Sequence, residues 1–303
     1  MAKYSLLKAY IIIPVYNRRE TTLACLGNLR EIGDLEQYRV IVVDDGSIDG
    51  TSISVRTHFP TVTVLKGTGN LWWAGAIAKG MKHAYQKGAE YFVWLNDDTI
   101  PSRDTISKML SVCLGNPNQI VTAQCYEDNS MTAPTYGGRK AAELSLKFLH
   151  AAADNVVECD VCSGNLVCFS RGVIDAIGYP TYQKTPQTWA DVIYTWRAKQ
   201  AGFYIAILGN ATAVCPFNPL EKGWTDSPIP MMNRWKMLGS PKSSVYPPAY
   251  WFYCKTIHGS MGIVLFLKTY LSLLVITVMR SLLPLSIVRQ IKHKTDTILG
   301  RKR

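Results

Sequence analysis

Tyr91–Thr99 reads YFVWLNDDT. An apolar run from Tyr91 to Leu95 stops at Asn96-Asp97-Asp98. Five apolar or aromatic residues in succession predict a strand covered on both faces, as in a parallel sheet. In open α/β sheets, ligands bind outside the carboxyl ends of the strands, and these carboxylates fall at such an end. Side by side they repel each other, and a cation relieves that repulsion best. Oxygen-only ligands suit Mg²⁺ or Mn²⁺, held by one or two carboxylates plus substrate phosphates. The alternative is a solvated turn in which Asp97 or Asp98 caps a helix starting near Ser102.

Working outward, the chain alternates strands and helices. Ala9–Val15 predicts a buried strand, with Pro14-Val15-Tyr16-Asn17 turning out of it. Glu20–Leu29 predicts a helix, capped near Asn17 or Thr21. Arg39–Val43 predicts a second strand, ending in Asp44-Asp45-Gly46-Ser47. A short helix over Ser52–Phe59, a strand over Val62–Leu65, a turn at Gly67–Asn70 and a helix over Trp72–Lys87 lead to Tyr91–Leu95. A helix over Ser102–Leu114 and a strand over Ile120–Gln124 follow. This alternation predicts an α/β fold with a Rossmann-like, mostly parallel sheet flanked by helices. Three strand ends then bring Tyr16-Asn17, Asp44-Asp45 and Asp97-Asp98 to one edge, which favours a site over a cap.

Gln124–Asp154 reads as loops and short antiparallel strands. Val156–Val161 and Asn165–Phe169 predict strands around Ser163-Gly164. Arg171–Ile177 predicts a short helix, Tyr179–Thr188 a mobile loop, Trp189–Ala201 a helix closed by Gly202, and Tyr204–Leu208 a strand. Ala211–Pro248 is rich in Pro, Trp and Met.

The net charge of +11 favours an anionic partner. No nucleic-acid-binding motif is visible, so an acidic membrane surface and phosphorylated small molecules lead. The eight Cys lie mostly in apolar runs. Cys159 and Cys162 have CxxC spacing without a second pair, so free buried thiols in a reducing cytosol are expected. The N-terminus lacks a signal-peptide layout. Met261–Leu285 is the most apolar stretch, broken by Lys268 and Arg280, and Arg289–Arg303 carries six Lys/Arg against one Asp. A spanning helix needs about 20 apolar residues. The pattern therefore predicts a helical membrane-associating segment lying in the interface, with a basic tail, ahead of a core helix of a soluble dimer.

Five segments in order carry a resemblance: Ile11–Asn17 (IIIPVYN), Val42–Thr51 (VVDDGSIDGT), Gly69–Gly75 (GNLWWAG), Trp94–Asp98 (WLNDD) and Asp191–Gly202 (DVIYTWRAKQAG). The chain resembles family 2 glycosyltransferases of the GT-A fold, especially bacterial rhamnosyltransferase-like members that build surface polysaccharides. The resemblance spans about Ala9 to Val214. It implies a GT-A domain over 1–215, with a nucleotide-binding half at about 9–125 and an acceptor half at about 126–215. The Pro/Trp-rich extension, apolar helices and basic tail fill 216–303.

By that resemblance, Asp44 and Asp45 hold the base and ribose of a UDP- or dTDP-sugar, and Pro14, Tyr16 and Asn17 line the same pocket. Gly69, Asn70 and Gly75 pass close to the nucleotide and sugar. Trp72 and Trp73 shape the sugar pocket or pack in the core. Asn96 and Asp97 complete the donor site. Asp98, supported by Asp97, binds Mn²⁺ or Mg²⁺; Asn96 stands where the family's D-x-D motif has its first Asp, which removes one charge. Asp191 is either the base that deprotonates the acceptor or a helix-start residue favoured by the macrodipole. Ala190 stands where the family often has Glu. Gly164, Asn165 and Trp189 belong to the acceptor pocket.

The implied function is an inverting hexosyl- or deoxyhexosyl-transferase. Its acceptor is a glycan or lipid-linked oligosaccharide, and its place is the cytoplasmic face of the cell membrane, on the anionic inner surface. Two rivals remain. A sugar nucleotidyltransferase usually shows a Gly-rich loop after the first strand, absent from Pro14–Arg19. A catalytically silent nucleotide-sugar-binding relative is kept open by Asn96 and Ala190.

Overall fold

The computed structural model describes residues 8–142, 144–217, 230–284, 286–288, 290 and 291. The chain divides into two compact units, Met1–Phe217 and Asn218–Arg303.

The first unit begins with β1 (Ala9–Val15), α1 (Arg19–Glu31), the single turn α2 (Asp34–Gln37), β2 (Arg39–Asp44) and α3 (Thr51–His58). It continues with β3 (Thr63–Lys66), α4 (Trp72–Gln86) and β4 (Tyr91–Leu95). These four strands are parallel, in the order β3-β2-β1-β4. The chain runs outward from β1 through β2 to β3, then returns to β1's other side as β4. The switch point of the sheet therefore lies between β1 and β4, where crevices open for ligands.

Next come β5 (Ile100–Pro101), α5 (Thr105–Gly115), β6 (Gln119–Tyr126), β7 (Gly138–Ala142), β8 (Ser145–Phe148), β9 (Val156–Cys159), β10 (Val161–Cys162) and β11 (Leu166–Ser170). The unit ends with α6 (Arg171–Ile177), α7 (Ala190–Gln200) and β12 (Tyr204–Val214). Here the sheet becomes mixed. β11 lies antiparallel between β4 and β6, and β12 runs parallel to β6. β7, β8 and β10 form a separate small sheet, so strands do occupy the loop-rich Gln124–Asp154 segment.

Period-two alternation explains the core. Ile11, Ile13, Val15, Val40, Val42, Val93 and Leu95 pack on one face, against Leu26 and Leu29 of α1 and Met109 of α5. Ile12, Ile41, Val43, Phe92 and Trp94 pack on the other, against Ile77 and Met81 of α4 and Tyr194 of α7. Gly80 lets α4 approach the sheet: a Cβ there would collide with Ile12. All eight cysteines are free and buried.

The second unit holds α8 (Met231–Met237), α9 (Pro247–His258) and α10 (Met261–Leu282). α9 and α10 form a hairpin joined at Gly259-Ser260, and Gly262 in the first turn of α10 lets the helices meet closely, since a Cβ there would collide with the carbonyl of Cys254. Tyr250 bonds Thr269 at 2.8 Å, and Tyr270 donates to the Val245 carbonyl at 2.6 Å. α10 is long and apolar enough to cross a membrane by length and composition. Ile263, Leu267, Leu271, Leu274, Val278 and Leu282 form an exposed stripe along it.

Candidate functional site

The loops after β1 and β2 are stitched together. Asn17 sits in the left-handed region at φ +51°. Its backbone N–H donates to Ser47 Oγ at 2.8 Å, and its Oδ1 accepts from the Ile48 N–H at 2.8 Å. The Arg19 N–H donates to Asp49 Oδ2 at 3.0 Å. Asn17 thus fixes the loop rather than capping α1, whose cap residue is Arg18. Tyr16 is exposed beside it.

Asp44 and Asp45 are both buried, and their oxygens have protein partners. Asp44 accepts from the Ser47 N–H at 2.8 Å and from the Ser52 hydroxyl. Asp45 accepts three backbone N–H groups: Gly69 and Leu71 at 2.8 Å, and Trp72 at 2.9 Å. A carboxylate with three such donors sets the course of Gly69–Trp72 over the strand ends. Trp72 follows at φ +55°, a strained conformation of the sort that persists where surrounding bonds over-determine it. Asn70 is exposed on this loop, Pro14 is half-buried at the end of β1, and Gly75 leaves room for Leu71 and Tyr182.

At the end of β4, Asn96 Oδ1 accepts the Trp73 indole N–H at 2.7 Å. An indole N–H only donates, so the amide's orientation is fixed and its NH₂ points elsewhere. Asp97 is 2% exposed, accepts from Thr22 Oγ1 at 3.2 Å and pairs with Arg18 at 3.1 Å. Burial raises its pKa to about 6, with Arg18 lowering and Asp98 raising it further. Asp98 is more open and pairs with Arg18 at 3.1 Å. The helix start that these residues were alternatively expected to cap belongs to Asp104, which precedes α5 in a left-handed conformation.

Asp191 lies in the first turn of α7, half-buried. Its Oδ2 accepts the Gly164 N–H and its Oδ1 the Val192 N–H, each at 2.8 Å. Burial raises its pKa, opposed by those two hydrogen bonds and by the charge of Arg139. Gly164 is pressed between Trp73 and Asp191, where a Cβ would collide with the indole. Asn165 is buried; its carbonyl accepts the Asn96 N–H at 2.9 Å, and its side-chain amide donates to Cys215 Sγ at 3.3 Å. Trp189 precedes α7 at φ +68°. Asn96, Trp73, Gly164 and Asp191 thus touch in sequence. The turn at β4 and the start of α7 are joined by three contacts.

Residues 10–178 match the family described as glycosyl transferase family 2. The chain belongs to that family. It is 23% identical over 200 residues to the UDP-N-acetylglucosamine--dolichyl-phosphate N-acetylglucosaminyltransferase of Methanococcus voltae, covering 61% of this chain and 78% of that one. Among solved structures it is similar to a mannosyltransferase, PcManGT, from Pyrobaculum calidifontis in complex with GDP-Man and Mn²⁺. There the TM-score is 0.55 at 17% identity, over 96% of this chain and 80% of that one. It is also similar to GalNAc-T7 with UDP, GalNAc and Mn²⁺. That match has a TM-score of 0.57 at 11% identity and covers 69% of this chain but only 43% of that one. These structures share the GT-A fold with this glycosyltransferase.

Within that family frame, three site features escaped the sequence reading. Arg18 pairs with both acidic residues; its only signal was the Arg18-Arg19 doublet after Asn17. Thr22 reaches Asp97 across 75 residues, which no local pattern records. Gln187 accepts the Trp73 backbone N–H at 3.0 Å, and the Pro186 carbonyl accepts the Ala74 N–H at 2.9 Å. The Tyr179–Thr188 segment, expected to be mobile, is therefore tied to the start of α4. Asp160 carries an ion pair with Lys199 at 2.6 Å and another with Lys140 at 3.5 Å. Burial raises its pKa, but Lys199, the Ala141 N–H at 2.7 Å and Lys140 together outweigh burial and hold it low, so it is a poor base.

Among the described residues, no group of three His, Cys, Asp or Glu side chains is placed to hold a metal alone. The donor set at β4 suits an ion shared between one or two carboxylates and substrate phosphates, and it does not suit a protein-only cage.

Proposed function

We propose that this family 2 glycosyltransferase inverts the anomeric centre of the sugar that it transfers. Its donor is a nucleotide-sugar, UDP- or dTDP-linked, and its acceptor is a glycan or lipid-linked oligosaccharide in surface polysaccharide synthesis. The transferred group is a hexosyl or deoxyhexosyl unit, in the manner of the rhamnosyltransferase-like members. The carrying observation is the continuous contact Asn96–Trp73–Gly164–Asp191, which sets the acidic turn of β4 beside a carboxylate of raised pKa.

Asp191 takes the proton of the attacking hydroxyl. The acceptor oxygen bonds to the anomeric carbon as the nucleoside diphosphate leaves with the electrons of the broken bond. One base and one in-line displacement give inversion. Asp45 serves the donor through the Gly69–Trp72 loop that its carboxylate holds. Asp98, with Asp97 beside it, would hold Mn²⁺ or Mg²⁺, and that ion supplies charge neutralisation of the leaving diphosphate. The similar solved structures, one with UDP and Mn²⁺ and one with GDP-Man and Mn²⁺, support a nucleotide-sugar donor used with a divalent ion. The dolichyl-phosphate relative supports a lipid-linked acceptor. The exposed apolar stripe of α10, together with the basic sequence of the tail, supports a place on the cytoplasmic face of the cell membrane.

A second reading keeps one specific observation. Asn96 and the Arg18 pairing reduce the free negative charge at the metal turn, as a silent nucleotide-sugar-binding relative would allow. Screening a panel of nucleotide sugars with Mn²⁺ separates the two. Turnover of one donor supports the enzyme, and donor binding without any hydrolysis or transfer supports the silent relative.

A further inference from the structure

The two carboxylates closing β4 are already answered by one cation. Arg18 Nη1 lies 3.1 Å from Asp97 Oδ1 and 3.2 Å from Asp98 Oδ2, and Nη2 lies 3.1 Å from the same Asp98 oxygen. The guanidinium therefore covers the oxygen of the more open carboxylate, the one best placed to meet an incoming ion. Its backbone anchor is rigid. Asn17 on one side is bonded to Ser47 and Ile48, and Arg19 on the other is bonded to Asp49. Its side chain is not enclosed: Arg18 is 42% exposed. It also lines a cleft of about 360 Å³ with Asn17, Arg19, Glu20, Thr21 and Asp49, so the long side chain has room to turn.

A divalent ion bound to Asp98 would sit against this guanidinium, cation beside cation. Either the ion stays weakly bound or the arginine leaves. An arginine that leaves a carboxylate finds an equivalent partner in a diphosphate, whose oxygens match the same planar fork. We propose that Arg18 is an exchangeable cation. It neutralises Asp97 and Asp98 in the donor-free protein, and it moves to the donor's diphosphate when a divalent ion takes Asp98. This rests on the reading of the chain as a metal-assisted nucleotide-sugar transferase. It adds that the ion binds weakly until a diphosphate draws Arg18 away, so ion and diphosphate bind cooperatively.

The test is direct Mn²⁺ titration of the full chain, read from the electron paramagnetic resonance signal of free Mn²⁺, with and without UDP. Arg18→Gln removes the competing charge, and Arg18→Lys keeps a charge without the fork. Expected is Mn²⁺ binding to Arg18→Gln without nucleotide on the order of tenfold tighter than to wild type, with Arg18→Lys between them. UDP binding in chelator should weaken in Arg18→Gln. Wild-type protein that binds Mn²⁺ with UDP, beside an Arg18→Gln variant with no gain in its absence, overturns the exchange alone. No Mn²⁺ binding to any of the proteins, with or without UDP, overturns the metal reading and the exchange with it. Arg18→Lys, retaining the charge beside buried Asp97, keeps the comparison readable if Arg18→Gln folds poorly.

Discussion

The Trp73 indole N–H donates to Asn96 Oδ1 at 2.7 Å, and the same indole covers Gly164, whose N–H holds Asp191. One aromatic side chain from the start of α4 thus links the turn at β4 to the candidate base. A smaller aromatic ring at this position removes the indole N–H and withdraws the ring edge that covers Gly164, so the link is broken at both contacts. Trp73→Phe should cost at least about 1 kcal/mol of stability, the net worth of the lost hydrogen bond with the lost packing on Gly164 added to it, and should weaken donor binding. Thermal unfolding and calorimetry with a nucleoside diphosphate check it. Unchanged values in both would show that the link is idle.

Asp45 is expected to act through backbone. Its carboxylate holds three N–H groups of the Gly69–Trp72 loop. Asp45→Ala should release that loop, raise amide hydrogen exchange there and raise the donor dissociation constant even without metal. Weaker donor binding with unchanged loop exchange would instead indicate direct contact with the nucleotide.

Asp34 predicts a pH dependence of stability. It is 3% exposed, and its Oδ2 lacks a hydrogen-bond partner. Burial raises its pKa to about 7, with Asp104 and Glu36 adding to the rise and Arg103 opposing it. The folded state therefore holds this proton more tightly than the unfolded chain, whose carboxyl has a pKa near 3.9. The contribution is fully present below about pH 4 and is lost as pH rises through about 7. Asp34→Asn should raise the melting temperature at pH 8 by about 2–4 °C for each 1 kcal/mol relieved, and change it little at pH 4. Equal shifts at both pH values would contradict the assignment.

The exposed α10 stripe predicts membrane attachment through its apolar side chains. Leu271→Asp with Leu274→Asp places two charges on the exposed stripe and spares Gly262, Thr269 and Tyr270, which hold α9. Flotation with vesicles rich in anionic lipid should lose the variant and retain wild type. Flotation of both would show that the stripe does not face lipid.

Much of this fold was legible because its signals are local. Ile11-Ile12-Ile13 and YFVWL carry no polar residue, as strands buried on both faces must, and β1 and β4 fall where those runs lie. β11 was legible as a strand, but its antiparallel place between β4 and β6 was not, since pairing depends on distant residues. The two-residue strand β5 and the extension of β12 to Val214 past a register shift at Leu208–Thr212 also depend on such pairing. In the site, the strand ends could be read from sequence, whereas Arg18, Thr22 and Gln187 act across 79, 75 and 114 residues, beyond any periodic pattern. Two prolines and many polar residues give Tyr179–Thr188 the composition of a mobile loop. The tie from Pro186 and Gln187 to α4 overrides that composition.

The central claim is that Asp191 is the base. Asp191→Asn keeps the shape and removes the proton acceptor. Its amide can still accept from one of the two N–H groups at Gly164 and Val192 but must face the other, so melting temperature is measured alongside. An interaction that acts on the chemical step lowers the rate without changing ground-state binding. The measurement is the transfer rate of the variant, with its donor affinity, on the donor that the wild type turns over. The account predicts a fall of about 10²–10⁴ in transfer with donor affinity near wild type. Transfer at the wild-type rate by a folded Asp191→Asn chain would contradict it.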